Sequence, residues 1–178
     1  MNEEELVRQY GDMVYNLALR LTQNRAEAED LAQESLIKAV SAWSSFRGEA
    51  DPGTWLYRIT VNTWKNMVRA KSKWRFLRFF SKNHEEQVAT EPEDVPGPDL
   101  TPEAEAESRE KKRGIERAMQ KLSPEERAVL VLRELDGRSY EEIRKSLDIP
   151  LGTVKSRLAR ARDILAEELS KMDRPHGS

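Results

Sequence analysis

The stretch SYEEIRKSLDIPLGTVKSRLARAR, residues 139–162, constrains the fold more than any other part of this chain. Ser139 followed by Glu142 is a capping box, which predicts a helix from about Tyr140. Ile143 and Leu147 share one face of it. Asp148-Ile149-Pro150 ends that helix, because a proline restricts the residue before it and has no N–H to give. In the helix that follows, Val154, Leu158, Ala161, Leu165 and Leu169 are spaced four, three, four and four apart and form one apolar stripe. At about 100° per residue, Ser156, Ala159 and Arg160 point away from the stripe, and Lys155, Arg157 and Arg162 flank it. No acid falls between Lys155 and Arg162. Such a pair has the shape of a helix-turn-helix and offers a small cationic face to a DNA major groove. An amphipathic helix with a solvated basic face satisfies the same pattern.

The rest of the composition mainly excludes. The 178 residues have room for one domain or two small ones. Cysteine is absent, which rules out disulfides and thiolate metal sites and suits a cytoplasmic protein. No apolar run approaches the length of a membrane span, so no membrane insertion is expected, and the N-terminus has no signal-peptide pattern. The two histidines, His84 and His176, lie far apart. There is no nucleophile–base constellation, no phosphate-cradling glycine loop and no metal-ligand spacing. The chain is therefore not expected to be an enzyme or to carry a metal or cofactor.

The net charge of −2 conceals three blocks. Residues 1–82 hold 13 Lys/Arg and 10 Asp/Glu, residues 83–110 hold one Arg and ten acids, and residues 111–178 hold 16 bases and 12 acids. A near-neutral total thus says little about partners, because the positive charge sits at the two ends. The middle block carries Pro92, Pro96, Pro98 and Pro102 and few large apolar residues, which is the composition of an extended linker. The expected organisation is all-α: two small helical domains, 1–82 and 106–178, joined by an acidic flexible linker, 83–105.

Helical periodicity fills both domains. Leu6, Tyr10, Met13, Val14, Leu17 and Leu21 give the face of a first helix. After a polar break at Asn24, Ala28, Leu31, Ala32, Ser35, Leu36 and Ala39 give a second, with Glu27, Asp30, Glu34 and Lys38 on its other side. Trp43 and Phe46 close it. The loop RGEADPG, 47–53, leads to a third helix that Thr54 or Gly53 is expected to cap, with Leu56, Ile59 and Met67 on its apolar face. Residues 64–82 hold seven Lys/Arg and no acid, mixed with Trp64, Trp74, Phe76, Phe79 and Phe80. Bases interleaved with aromatics suit unpaired nucleotides beside a phosphate backbone, although Trp55 and Trp64 taken singly fit a core equally well. In the C-terminal part, Ile115, Met119 and Leu122 suggest one helix. Ser123-Pro124-Glu125-Glu126 starts the next, which carries the apolar run Ala128–Leu132, and Gly137 stops it after Leu135.

AEDLAQESLIKA (28–39), SFRGEADPGTWLYRITVNTWKN (45–66) and LSPEERAVLVLRELDGRSYEEIRKSLDIPLGTVKSRLARAR (122–162) together resemble the extracytoplasmic-function group of bacterial sigma factors of the sigma-70 family. The resemblance covers both domains in order. It implies a protein that binds core RNA polymerase, directs it to promoter DNA at minus-ten and minus-thirty-five elements, and is held by an anti-sigma factor. By that resemblance Phe46 and Asn62 line a pocket for a flipped minus-ten base, with Arg47, Trp55, Arg58 and Lys65 around it. An aromatic face and a bidentate amide suit that task. Lys155, Ser156, Arg157, Ala159, Arg160 and Arg162 meet the minus-thirty-five element. Asp30, Leu31, Gln33 and Glu34 meet the polymerase clamp.

Charge supports that division. An acidic helix face and an acidic linker are repelled by phosphate and suit basic protein surfaces. The linker either follows the polymerase channel built for RNA or merely solubilises the chain. An ordinary helix-turn-helix regulator would explain the last 70 or so residues but leaves the 45–66 motif without a purpose. An adaptor whose helix pair binds protein is disfavoured by the acid-free basic helix.

Overall fold

A computed structural model describes residues 2–48, 50–80 and 102–172, and nothing is stated of side chains at 75–80, 102–105, 107 and 172. Of the expected linker 83–105, residues 83–101 lie outside the described residues, and 102–105 already belong to a helix. Seven α-helices occur among those described: α1 Glu3–Thr22, α2 Arg25–Ala42, α3 Pro52–Phe80, α4 Pro102–Lys121, α5 Pro124–Leu130, α6 Tyr140–Leu147 and α7 Leu151–Met172. A 3-10 turn, Trp43–Ser45, follows α2, and a π turn, Val131–Leu135, continues α5. No strand occurs among the described residues.

Helix starts are set by side chains at hand. Asn2, Ser123 and Ser139 each accept the N–H of the residue three on, and Glu5, Glu126 and Glu142 each accept the N–H of the capping residue in return. Asn24 caps α2 alone. At α3 the cap is Asp51, whose Oδ2 accepts from the Thr54 N–H at 3.2 Å, and Pro52 fills the first helical position. The expected Thr54 or Gly53 cap is thus corrected: proline at the first position needs no N–H partner, and the aspartate before it satisfies the next donors. Gly53 matters for another reason, since a Cβ there would lie 2.8 Å from Asp51 Oδ2.

In the N-terminal half α1, α2 and α3 bury Leu6, Val14, Leu17, Leu21, Ala28, Leu31, Ala39, Leu56 and Val61. Trp64 is buried with them, 4% exposed, which decides that tryptophan for the core. In the C-terminal half the whole run Ala128–Leu132 is buried, in one cluster with Met119 of α4, Leu122 just beyond it, Ile143 of α6 and Val154, Leu158 and Ala161 of α7. Ile115, expected on the apolar face of α4, is 49% exposed. The buried face runs through Gly114, Ala118 and Met119 instead.

The helix-turn-helix closes by means the periodicity did not reveal. Asp148 takes a left-handed φ of 53° and its N–H returns to the Arg144 carbonyl. The Ile149 N–H reaches the same carbonyl at 3.2 Å, and the Pro150 carbonyl accepts from Thr153 and Val154 to open α7. Proline follows a turn that an aspartate has already made.

The Glu142 carboxyl is pulled down to about 2 by the Ser139 backbone and side chain and then by Arg138. A carboxyl lowered in the folded chain stabilises it above the ordinary value of 4.5 and loses that effect as pH falls toward 2. Ser139→Ala is expected to cost about 1 kcal/mol at pH 7. The deficit of Glu142→Ala against wild type, read from urea melts by circular dichroism, is expected to shrink steadily as pH falls from 4.5 through 2. A deficit independent of pH would refute this account of the cap.

Candidate nucleic-acid interface

Two surfaces carry the residues singled out from the sequence. The first is the outer face of α7. Lys155, Ser156, Ala159, Arg160 and Arg162 are exposed and Arg157 is half-buried, while Val154, Leu158 and Ala161 anchor the helix from below. The stripe weakens beyond Ala161: Leu165 is half-buried and Leu169 is 36% exposed. Two of the bases are tethered at home. Arg162 hydrogen-bonds Glu134 through Nε at 3.0 Å and also through Nη2, and this pairing raises its pKa. Arg160 Nε stands 3.8 Å from Glu126. A phosphate at either guanidinium would exchange with a carboxylate, an isoelectric swap.

The second surface is the corner between α2 and α3. Trp43 stacks on Phe46 with centroids 5.0 Å apart and planes at 15°, and Trp55 lies 5.0 Å from Phe46 at 43°. These three rings form an aromatic step, each only partly buried. Arg47 and Gly48 follow in the open, and Gly48 takes φ +69° with nothing within 4 Å of an added Cβ. Such a loop leaves backbone free to approach a flat ligand closely.

From this corner Arg58, Asn62, Lys65 and Arg69 run along α3 at spacings of four, three and four, hence on one face. Asn62 is exposed. Its neighbours on that face are engaged by the C-terminal half. Arg58 donates from Nη2 to the Lys145 carbonyl at 2.6 Å and from Nε to the Ser146 carbonyl at 3.4 Å, at the end of α6. Lys65 Nζ lies 3.3 Å and Arg69 Nη2 3.6 Å from Glu125 Oε1. Burial alone would raise the Glu125 carboxyl, but its backbone hydrogen bond, Lys65 and Arg157 outweigh that and hold it below its ordinary value.

The seam between the halves continues beyond these bases. Arg138 donates to the Tyr57 hydroxyl at 3.0 Å and sits 4.5 Å from the centre of that ring. Arg127 donates to the Leu21 carbonyl at 3.1 Å and lies 5.8 Å from the Trp64 ring centre. Arg20 pairs with Asp136. Sequence reading missed Glu125, Arg127, Asp136 and Arg138 as functional residues. Their partners lie tens of residues away, and only their position beside helix ends hinted at a use.

The polar face of α2 lies away from the core. Asp30, Gln33 and Glu34 are exposed, with Glu34 Oε1 2.6 Å from Lys38 Nζ. Leu31 is a correction: it is fully buried in the core, so it supports this face from beneath and has no surface to offer a partner. Ile37, 59% exposed, is the apolar side chain this helix does present. Among the described residues no helix is long and apolar enough to cross a membrane.

Comparison with known proteins agrees with this layout. Residues 6–74 match the family Sigma-70 region 2, and residues 112–165 match Sigma-70, region 4. The chain is 38% identical over 171 residues to the ECF RNA polymerase sigma factor SigE of Mycolicibacterium smegmatis, covering 94% of this chain and 62% of that protein. It is 37% identical to the ECF RNA polymerase sigma-E factor of Haemophilus influenzae, covering 94% of this chain and 87% of that one. The sigma factor RpoE of Bartonella quintana, solved in complex with the anti-sigma factor NepR, superposes with a TM-score of 0.67 at 27% identity, over 96% of this chain and 98% of that one. With its two matched regions in order, its helix-turn-helix and its aromatic corner, the chain belongs to the extracytoplasmic-function (ECF) RNA polymerase sigma factors.

Proposed function

We propose that this protein binds core RNA polymerase in the cytoplasm and has no catalytic activity of its own. It directs the enzyme to promoters by reading a minus-thirty-five element with α7 and a minus-ten element with the α2–α3 corner and the outer face of α3. The observation that carries the reading is the pairing, in one chain, of an exposed helix face with no acid from Lys155 to Arg162 and an aromatic step beside a basic, amide-bearing helix face. The first arrangement suits a duplex groove, the second suits unpaired bases. Reconstitution is the decisive test. Added to core polymerase alone, the chain is expected to start transcription at a discrete site, whereas an ordinary regulator needs a sigma factor already present. The Bartonella relative, solved with an anti-sigma factor, supports the same kind of restraint here.

On α7, Lys155 and Ser156 reach base edges and Arg157, Arg160 and Arg162 neutralise phosphates, with Ala159 admitting the groove wall. Lys155→Ala is expected to weaken promoter binding by about 1–3 kcal/mol and relax preference at one base pair. Arg160→Ala is expected to weaken all duplexes alike and lower the salt slope by about one. Anisotropy with a panel of minus-thirty-five duplexes distinguishes the two, and unchanged selectivity in Lys155→Ala refutes the base contact.

At the corner, Phe46, Arg47, Trp55, Arg58, Asn62 and Lys65 hold the opened minus-ten strand. Asn62→Ala is expected to reduce permanganate reactivity of unpaired thymines while core binding stays intact. Normal footprints on several promoter variants would remove Asn62 from this role.

Asp30, Gln33 and Glu34 face the polymerase clamp. Asp30→Lys with Glu34→Lys is expected to leave the fold within about 0.5 kcal/mol of wild type, as exposed substitutions do. Core association should weaken markedly through like-charge contact. Unchanged affinity in a folded double variant would place the clamp surface elsewhere.

A further inference from the structure

We propose that Asp51 is a positioning residue for the minus-ten site: its carboxylate, bound to the first turn of α3, fixes the aromatic step in the shape that receives an unpaired base. The proposal rests on the sigma-factor reading above and adds to it a residue outside the bases and rings assigned to DNA. Asp51 Oδ2 accepts the Thr54 N–H at 3.2 Å, and the Trp55 N–H returns to the Asp51 carbonyl at 3.1 Å. One residue thus holds two donors of the turn that carries the Trp55 ring. That ring stands 5.0 Å from Phe46 and 5.9 Å from Trp43. A first turn that frays would carry Trp55 away from both.

Gly53 keeps that carboxylate in place. It is buried, with Tyr10 and Met13 of α1 on one side and Asp51 on the other. A Cβ there would lie 2.8 Å from Asp51 Oδ2, 3.4 Å from Tyr10 Cε1 and 3.7 Å from Met13 Sδ. Gly53 has no positive φ, so glycine supplies room at this position and not backbone freedom. The two α1 atoms stand near ordinary contact distance. The atom that must give way to a Cβ is therefore the carboxylate oxygen, and giving way means leaving the Thr54 N–H. Burial and then the Asp51 charge hold the Tyr10 hydroxyl above its ordinary value, in keeping with a carboxylate close to α1. Here α1 is the wall, Asp51 the catch, and Trp55 the part they hold.

Full-length Asp51→Ala, Asp51→Asn, Gly53→Ala and the double variant Asp51→Ala with Gly53→Ala test this. Each is assembled with core polymerase, and anisotropy reads its affinity for a single-stranded minus-ten oligonucleotide and for a minus-thirty-five duplex. Asp51→Ala and Gly53→Ala are each expected to weaken oligonucleotide binding about fivefold, the factor that a lost helix cap sets, and to leave the duplex unchanged. Asp51→Asn is expected to bind as wild type does, because an amide oxygen caps as well as a carboxylate. The double variant is expected to be no weaker than Asp51→Ala, because the clash disappears with the carboxylate and the two losses are not independent. Wild-type affinity in Asp51→Ala, an equal loss in Asp51→Asn, or multiplied losses in the double variant overturns the proposal. So does an equal loss on the duplex, which marks a general loss of fold. Near-ultraviolet circular dichroism of the free chain follows the ring stack without polymerase, and is expected to change in Asp51→Ala and to return in Asp51→Asn. An unchanged spectrum in Asp51→Ala overturns the positioning role itself. If the spectra behave as expected but wild type with core polymerase neither binds the oligonucleotide nor initiates, it is the sigma-factor reading that fails.

Discussion

Five consecutive apolar residues, Ala128–Leu132, are the constraint on which the C-terminal half depends. A segment apolar on every side has no face to give to water and must be surrounded. α5 alone is seven residues, far below the length at which a helix stands unaided. It persists because its capping box fixes the start and its neighbours bury the rest. α7 covers it from one side, the π turn extends it toward α6, and α1 and α3 of the other half approach it as well. Once this rod is enclosed, α6 and α7 have one way to lie, and the basic face of α7 is turned outward by default.

The seam adds polar contacts to this apolar packing. Its more exposed charged pairs, Lys65 and Arg69 with Glu125, contribute about 0–1 kcal/mol each. Asp136 Oδ2 and Arg138 Nε are buried without a hydrogen-bond partner, and each such group costs about 1–3 kcal/mol. Apolar packing also crosses the seam, since buried side chains of both halves form one contiguous cluster.

What the sequence disclosed depended on the range of the interaction. Capping boxes at Ser123 and Ser139 were legible because cap and partner lie three residues apart. The apolar stripe of α7 was legible through Ala161, where burial is complete, and failed toward Leu169, where no neighbour covers it. Ile115 misled because an isoleucine at helical spacing looks like core, whereas the small Gly114 and Ala118 are the residues that α4 buries. Leu31 misled in the opposite direction: its motif neighbours are exposed, and proximity in sequence was taken for proximity on the surface. The site residues on α7 and α3 came from periodicity and from family resemblance together. The hydrogen bonds of Arg58 to carbonyls 87 and 88 residues away left no local trace.

The π turn at Val131–Leu135 carries a consequence of its own. Its ladder runs one residue longer than in an α-helix, as the Asp136 N–H reaching the Val131 carbonyl at 3.1 Å shows. One extra residue rotates everything downstream by about 100° about the helix axis. Asp136 reaches Arg20, and Arg138 reaches Tyr57, in that rotated phase. Deleting Arg133 or Glu134 from this turn would restore an ordinary helix, preserve every apolar side chain needed for the core, and still swing both contacts off the seam. In this short stretch the chain counts residues, much as a thread sets where a screw comes to rest, and its tolerance to insertion or deletion is governed by angle.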